Sequence, residues 1–180
     1  MELSALQKLM AKTDLIVTSP ATIHWQGKTY PCLTGKGGIS VQKTEGDGVT
    51  PVGRFPIRFI YWRADRLQLP PCLIPSIALT PSDGWCDDPA HALYNQFVQR
   101  PFPARHEELW REDSAYDIIG VLGYNDSPPL PGKGSAIFLH LWREGAVHTE
   151  GCLALKREDL LEILPHLTAD SAVEVLSREN

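Results

Sequence analysis

The sequence is short of cysteine, has no apolar run long enough to cross a bilayer, and shows no excess of basic residues. Its four cysteines, Cys32, Cys72, Cys86 and Cys152, contain no Cys-x-x-Cys pair, which excludes a zinc ribbon and a thioredoxin-type motif. Thiols spaced in this way are free in a reducing compartment, and no more than one of them needs a chemical task. A membrane-spanning helix requires about 20 consecutive apolar residues, and no stretch approaches that length. Seventeen Lys and Arg against 22 Asp and Glu give a net charge of −5, so no nucleic-acid partner held through its phosphates is expected. The opening MELSALQKLMAKTDLIV has neither a basic start nor a continuous apolar centre nor a small-residue cleavage site. Residence in the cytoplasm is therefore the expectation. Internal repeats and low-complexity tracts are absent too.

What is present is an ordinary globular composition, 43% apolar and 22% charged, in a chain of 180 residues. A domain of that size buries about 70% of its unfolded surface, so a full core forms without staples, and 1–180 reads as one domain. The N-terminal pattern reads as a short helix. DLIVTS, ATIHW and KTYPCL read as short strands, the last two joined at Gly27, and RFPIRFIYW as a strand entered through the glycine-rich loop before it. From 64 to 115, prolines at 70, 71, 75, 81, 89, 101 and 103 break every candidate element, which predicts a long excursion over the surface that lines or covers a site. Within it, GWCDDP reads as a turn and HEELWRED as one or two turns of helix. AYDIIGVLGYN, SAIFLHLW and AVEVLS are strand candidates. LKREDLLEILPHL, with Leu160, Leu161, Ile163, Leu164 and Leu167 at helical spacing, is a helix. The fold expected is mainly β with a few helices.

The chemistry concentrates at FLHLWREGAVHTEGCLAL. Alternation puts Ile137, Leu139 and Leu141 on one face of the strand and Phe138, His140 and Trp142 on the other. Cys152 follows His140 by twelve positions, and a hairpin-like return through Arg143–Gly145 would bring thiol and imidazole together. A free thiol with a pKa near 8.5 is only about 3% thiolate at neutral pH, whereas a neighbouring imidazole can take its proton, stabilise the thiolate as an ion pair and later protonate a leaving amine. Gly151 lets the backbone turn just before the cysteine, leaving amides free for an oxyanion. His148 would sit about 13 Å from Cys152 along an extended segment and reads as a rim residue. Neither His140, His148 and Cys152 nor Cys86, Asp87, Asp88 and His91 has the paired spacing of a metal site, and KGGISVQKTEGDG lacks the order of a phosphate loop.

Two segments, DGVTPVGRF at 47–55 and TEGC at 149–152, together resemble the L,D-transpeptidase catalytic domain (YkuD-like) family. Thr50, Pro51, Gly53 and Phe55 match its Thr-Pro-x-Gly-x-Phe segment, and Thr149, Gly151 and Cys152 its Ser/Thr-x-Gly-Cys motif. The resemblance runs through 14–177, and GWCDDP, YN and GYND look like a subgroup without export signals. It implies a β-sandwich or barrel-like fold, Cys152 as nucleophile and His140 as base, no metal or organic cofactor, and peptidoglycan stem peptides or muropeptides as partners. A thioester would form at the L-centre carbonyl, commonly of diaminopimelate, and release the terminal D-amino acid. Many members carry a His where Glu150 stands and an Ile-Arg pair where Leu153 and Ala154 stand, so the motif arginine is missing. Arg54, Arg143 and Arg63 are candidates for its role. Thr149 and Glu150 flank the substrate, and Asn125, Asp126, Asp87 and Asp88 are candidates for its amine or amide. L,D-carboxypeptidase-type hydrolysis, as in muropeptide recycling, is expected ahead of cross-linking, D-amino-acid exchange, an amidase reaction or non-catalytic binding. Cys152 is expected to be the most reactive of the four thiols. Oligomeric state leaves no trace in the sequence.

Overall fold

A computed structural model describes residues 14–177, so the N-terminal helix expected from the sequence lies outside the described residues. In chain order the strands are β1 (Leu15–Thr18), β2 (Thr22–Trp25), β3 (Lys28–Leu33), β4 (Ile39–Ser40), β5 (Thr50–Pro51), β6 (Gly53–Trp62), β7 (Ser76–Ala78), β8 (Asp83–Cys86), β9 (Phe97–Gln99), β10 (His106–Glu108), β11 (Ile118–Leu122), β12 (Phe138–Leu141), β13 (Leu153–Leu155) and β14 (Ala172–Val175). Among the described residues one α-helix, α1 (Arg157–Ile163), runs into a 3-10 turn at Leu164–His166.

Pairing follows the order β11-β12-β13-β3-β2-β1-β14-β6, and β6 pairs back onto β11, so eight strands close into a barrel-like ring. The ring closes because β6 is ten residues long and serves several neighbours. Its first half pairs with β14, its second half with β7 on the same edge, and its other edge with β11. A register shift opposite Val121 and Leu122 inserts one extra residue into β6, which turns Phe55, Ile57 and Ile60 all inward despite their mixed parity.

Alternation then sorts the apolar side chains into two cores. Leu139, Leu141, Leu153, Leu155, Ile118 and Leu122 fill the barrel together with Leu160, Ile163, Leu164 and Leu167 from α1 and the turn after it. That is why the apolar residues of this segment repeat at helical spacing. The opposite faces of the same strands present Tyr61, Ile119, Val121, Phe138 and Cys152 to a second core, completed by Leu79, Trp85, Leu109 and Tyr116.

This second core corrects the reading of 64–115 as a purely surface excursion. The prolines do cut it into short pieces, but three of those pieces pair as a sheet in the order β10-β8-β9, and it folds back against the barrel wall. GWCDDP is not a turn throughout, since Asp83–Cys86 is a fully buried strand. HEELWRED is not helical. Its first residues pair antiparallel with β8, and its only apolar residues, Leu109 and Trp110, are adjacent and give no helical stripe.

Three backbone segments cross next to Cys152. Thr149 N–H donates to Thr34 O and Lys36 N–H to Thr149 O, both at 2.9 Å, while Gly37 N–H donates to Gly48 O at 2.8 Å. The buried Thr50 hydroxyl ties the crossing together, accepting from Gly35 N–H at 2.8 Å and donating to Gly151 O at 2.9 Å. A Cβ on Gly35 would lie 2.0 Å from Gly48 O, so only glycine fits there. Thr50→Val should leave two buried backbone groups unpaired, at about 1–3 kcal/mol each, and lower the thermal midpoint by several degrees. Thr50→Ser should melt close to wild type. A Val variant as stable as the Ser variant would show that the hydroxyl does not hold the crossing.

Candidate active site

The expected hairpin return between His140 and Cys152 does not form: β12 and β13 run parallel, with His140 opposite Ala154. A parallel pairing still keeps the two side chains together. Cys152 lies two positions before Ala154, hence on the same face, and a lateral spacing near 4.8 Å with two rises of 3.3 Å puts the Cα atoms about 8 Å apart. Both side chains line a cleft of about 510 Å³ between the barrel wall and the excursion.

His140 is buried, and its Nδ1 lies 2.9 Å from Leu141 O. A carbonyl only accepts, so Nδ1 carries the proton and Nε2 is left with a lone pair. Burial lowers the imidazole pKa to about 4, with the Arg111 charge acting in the same direction against the Leu141 carbonyl. Tyr116 packs edge-on to the ring at 5.3 Å and fixes its plane.

Cys152 Sγ donates to Ala136 O at 3.1 Å and accepts from Phe138 N–H at 3.4 Å. Burial pushes the thiol up to about 12, the Glu107 carboxylate adds to the rise, and the Phe138 amide and Lys43 oppose it. Burial thus favours a neutral thiol and a neutral imidazole over the ion pair expected from the sequence. Such a pair can still work, provided the proton moves to Nε2 as the sulfur attacks. The oxyanion expectation also changes: Gly151 N–H is not free, because it donates to Thr149 Oγ1 at 3.2 Å, and that hydroxyl donates on to Cys152 O at 2.6 Å.

The carbonyl that meets the sulfur is held by the excursion. Ala136 adopts φ +52°, a conformation costing an L-residue roughly 1–2 kcal/mol, and its N–H donates to Asn95 Oδ1 at 3.0 Å. Asn95 Oδ1 also accepts from Trp85 Nε1 at 2.9 Å, and its amide donates to Tyr124 O and Asn125 O. Opposite, Tyr116 OH donates to Glu107 Oε1 at 2.5 Å, and burial raises the Glu107 carboxyl.

Of the residues singled out from the sequence, Cys152, His140, Thr149, Glu150, Asp87 and Arg143 line the cleft, with His148 exposed at its rim. Gly151 lies beneath, held by Thr50. Glu150 points to solvent and pairs with Lys36. The other candidates stand outside the cleft, each taken up elsewhere. Arg54 is bidentate to the buried Asp14, Arg63 pairs with Asp65 and stacks on Trp110, and Asp126 pairs with Arg58. Asn125 staples its own loop through Leu130 and Gly134, and Asp88 caps a turn at Ala90. Glu107, Arg111, Tyr116 and Asn95 were not singled out. Glu107 and Arg111 were hidden by the helical reading of HEELWRED; read as a strand, its alternation carries Glu107, Leu109 and Arg111 onto one face. No group of three or more His, Cys, Asp or Glu among the described residues is placed to hold a metal ion.

A buried thiol pushed this high should not be the most reactive toward general reagents, contrary to expectation from sequence. Iodoacetamide at pH 7 should label the partly exposed Cys72 at least as fast as Cys152, with Cys152 labelling rising about tenfold per pH unit through pH 10. Glu107→Gln removes a negative charge and should move that rise to lower pH. Fast labelling of Cys152 at pH 7, followed by peptide mass spectrometry, would instead show a resting thiolate.

The YkuD family model, L,D-transpeptidase catalytic domain, matches residues 21–175. No curated protein matches the chain.

Proposed function

The chain belongs to the L,D-transpeptidase catalytic domain family, whose chemistry is cysteine acyl transfer on peptidoglycan peptides, and from that premise we propose that it is an L,D-carboxypeptidase acting on soluble tetrapeptide muropeptides. The observation that supports this reading is the cleft shared by Cys152 and His140, whose volume of about 510 Å³ suits the end of one stem peptide.

Cys152 Sγ attacks the L-centre carbonyl while its proton passes to His140 Nε2. The carbonyl oxygen becomes an oxyanion for the lifetime of the tetrahedral intermediate. As that intermediate collapses, the C–N bond breaks, His140 returns the proton to the leaving nitrogen, and the terminal D-amino acid departs, leaving a thioester on Cys152. Water then enters on the same side, gives its proton to Nε2 and attacks the thioester. The C–S bond breaks, the sulfur regains its proton from the imidazole, and a tripeptide with a free carboxylate is released. Water needs no second binding site, whereas cross-linking requires a second stem to be held beside the first. No cofactor enters these steps.

Incubation with a disaccharide-tetrapeptide should yield tripeptide and free D-alanine at any protein concentration, and Cys152→Ala should abolish this while melting like wild type. Cross-linked dimers or D-amino-acid exchange as the main products would replace hydrolysis with transpeptidation. Full activity of Cys152→Ala would remove the thiol from the reaction altogether. For the free enzyme, kcat/KM should hold on the acid side down to about pH 4, where His140 gains its proton, rather than falling near pH 6.5.

A further inference from the structure

Two arginines meet at the His140 side of the cleft. Arg111 is half-buried, with Nε and Nη2 donating to the two carboxylate oxygens of Asp113 at 3.0 and 2.6 Å. Its guanidinium lies 5.2 Å from the Tyr116 ring centre, and its Nη1 makes no hydrogen bond among the described residues. Arg143 stands three residues after His140, is exposed, and reaches the same Asp113 only at 3.7 Å. Two guanidinium groups thus share one carboxylate, and Glu107, hydrogen-bonded to the Tyr116 hydroxyl, is a second negative charge acting on Arg111. Both line the cleft with Cys152 and His140.

The other charges of the cleft do not offer this. Glu45, Asp87 and Glu107 are carboxylates, and Lys43 is committed to Asp47. Glu45 accepts from Tyr94 OH and Ser135 Oγ, which fixes its charge in place. A carboxylate on a bound substrate is repelled by these groups and finds an open cationic partner at Arg143, whose ion pair with Asp113 is 3.7 Å long.

Building on the L,D-carboxypeptidase reading, we propose that Arg111 and Arg143 anchor the free α-carboxylate of the departing residue and so restrict the enzyme to stems that end one residue beyond the scissile carbonyl. His140 protonates the leaving nitrogen, so the departing residue lies on the His140 side. Its carboxylate follows that nitrogen by two bonds, N–Cα and Cα–C, which places the oxygens within about 3.5 Å of it. That is the side on which the arginines stand. A guanidinium matches a carboxylate with two parallel N–H···O bonds, and a chain that continues offers a neutral amide instead, with one oxygen and no charge. Arg143, exposed and paired with Asp113 only at 3.7 Å, supplies the open donor; Arg111, braced by Asp113 and Tyr116, supplies a fixed one. The role left open by the missing motif arginine passes to these two residues, which come from different parts of the chain.

Binding to the Cys152→Ala protein separates the anchor from the chemistry. Calorimetry should show the tetrapeptide acid bound at least about tenfold more tightly than the same peptide with a C-terminal carboxamide, the size expected of a charge-assisted hydrogen bond. Arg143→Gln in the Cys152→Ala background should remove most of the acid's advantage over the carboxamide without changing carboxamide binding, and Arg143→Lys should recover part of it. A pentapeptide, whose carboxylate lies one residue further on, should bind like the carboxamide. Equal binding of acid and carboxamide, or an Arg143→Gln loss that is the same for both, overturns the anchor. Failure of wild type to release D-alanine overturns the hydrolase reading, and the binding comparison judges the anchor independently of that result.

Discussion

The Thr50 hydroxyl, bonded at once to Gly35 N–H and Gly151 O, is the interaction on which the site's position depends. It joins three backbone segments that come from distant parts of the chain, and it is fully buried. With no solvent to replace a lost partner, each of its bonds has to be made by the protein itself. This explains why DGVTPVGRF and TEGC occur together. Thr50 sits in the first and holds the glycine of the second, so the segment that delivers Cys152 cannot shift relative to the barrel. The barrel is fixed in turn by ring closure through β6, which leaves β12 and β13 no freedom to slide.

Burial then decides the electrostatics. The same close packing that positions Cys152 and His140 removes water from both, and each is held in its neutral form. A neutral pair does not react with whatever electrophile passes by; proton and sulfur have to move together, on a carbonyl held in the right place. Glu107 strengthens that restraint by raising the thiol further, and the excursion keeps the Ala136 carbonyl against the sulfur through Asn95. The Pro-rich segment is therefore a wall of the site and its second core, connected to the sulfur by hydrogen bonds, and not a loose cover.

Charge in the cleft is mixed: carboxylates come from the excursion and from the loop before Thr50, and two arginines share Asp113. Groups of both signs are thus held in place around Cys152 and His140.

What the sequence by itself determined is whatever depends on near neighbours. Alternation in SAIFLHLW placed Leu139 and Leu141 in one core and Phe138 and His140 facing away from it, and helical spacing from Leu160 to Leu167 found α1 and its continuation, because both periodicities are properties of the local backbone. The paired motifs pointed to the family for the same reason, being short and contiguous. Only the tertiary structure decided that β12 and β13 run parallel, that HEELWRED starts as a strand beside β8, and that Arg54 is spent on Asp14 while Arg111 reaches the cleft. Each of these depends on which distant segment comes alongside. The neutral state of Cys152 and His140 belongs with them, since it follows from how completely other residues bury the pair, and no spacing along the chain records that.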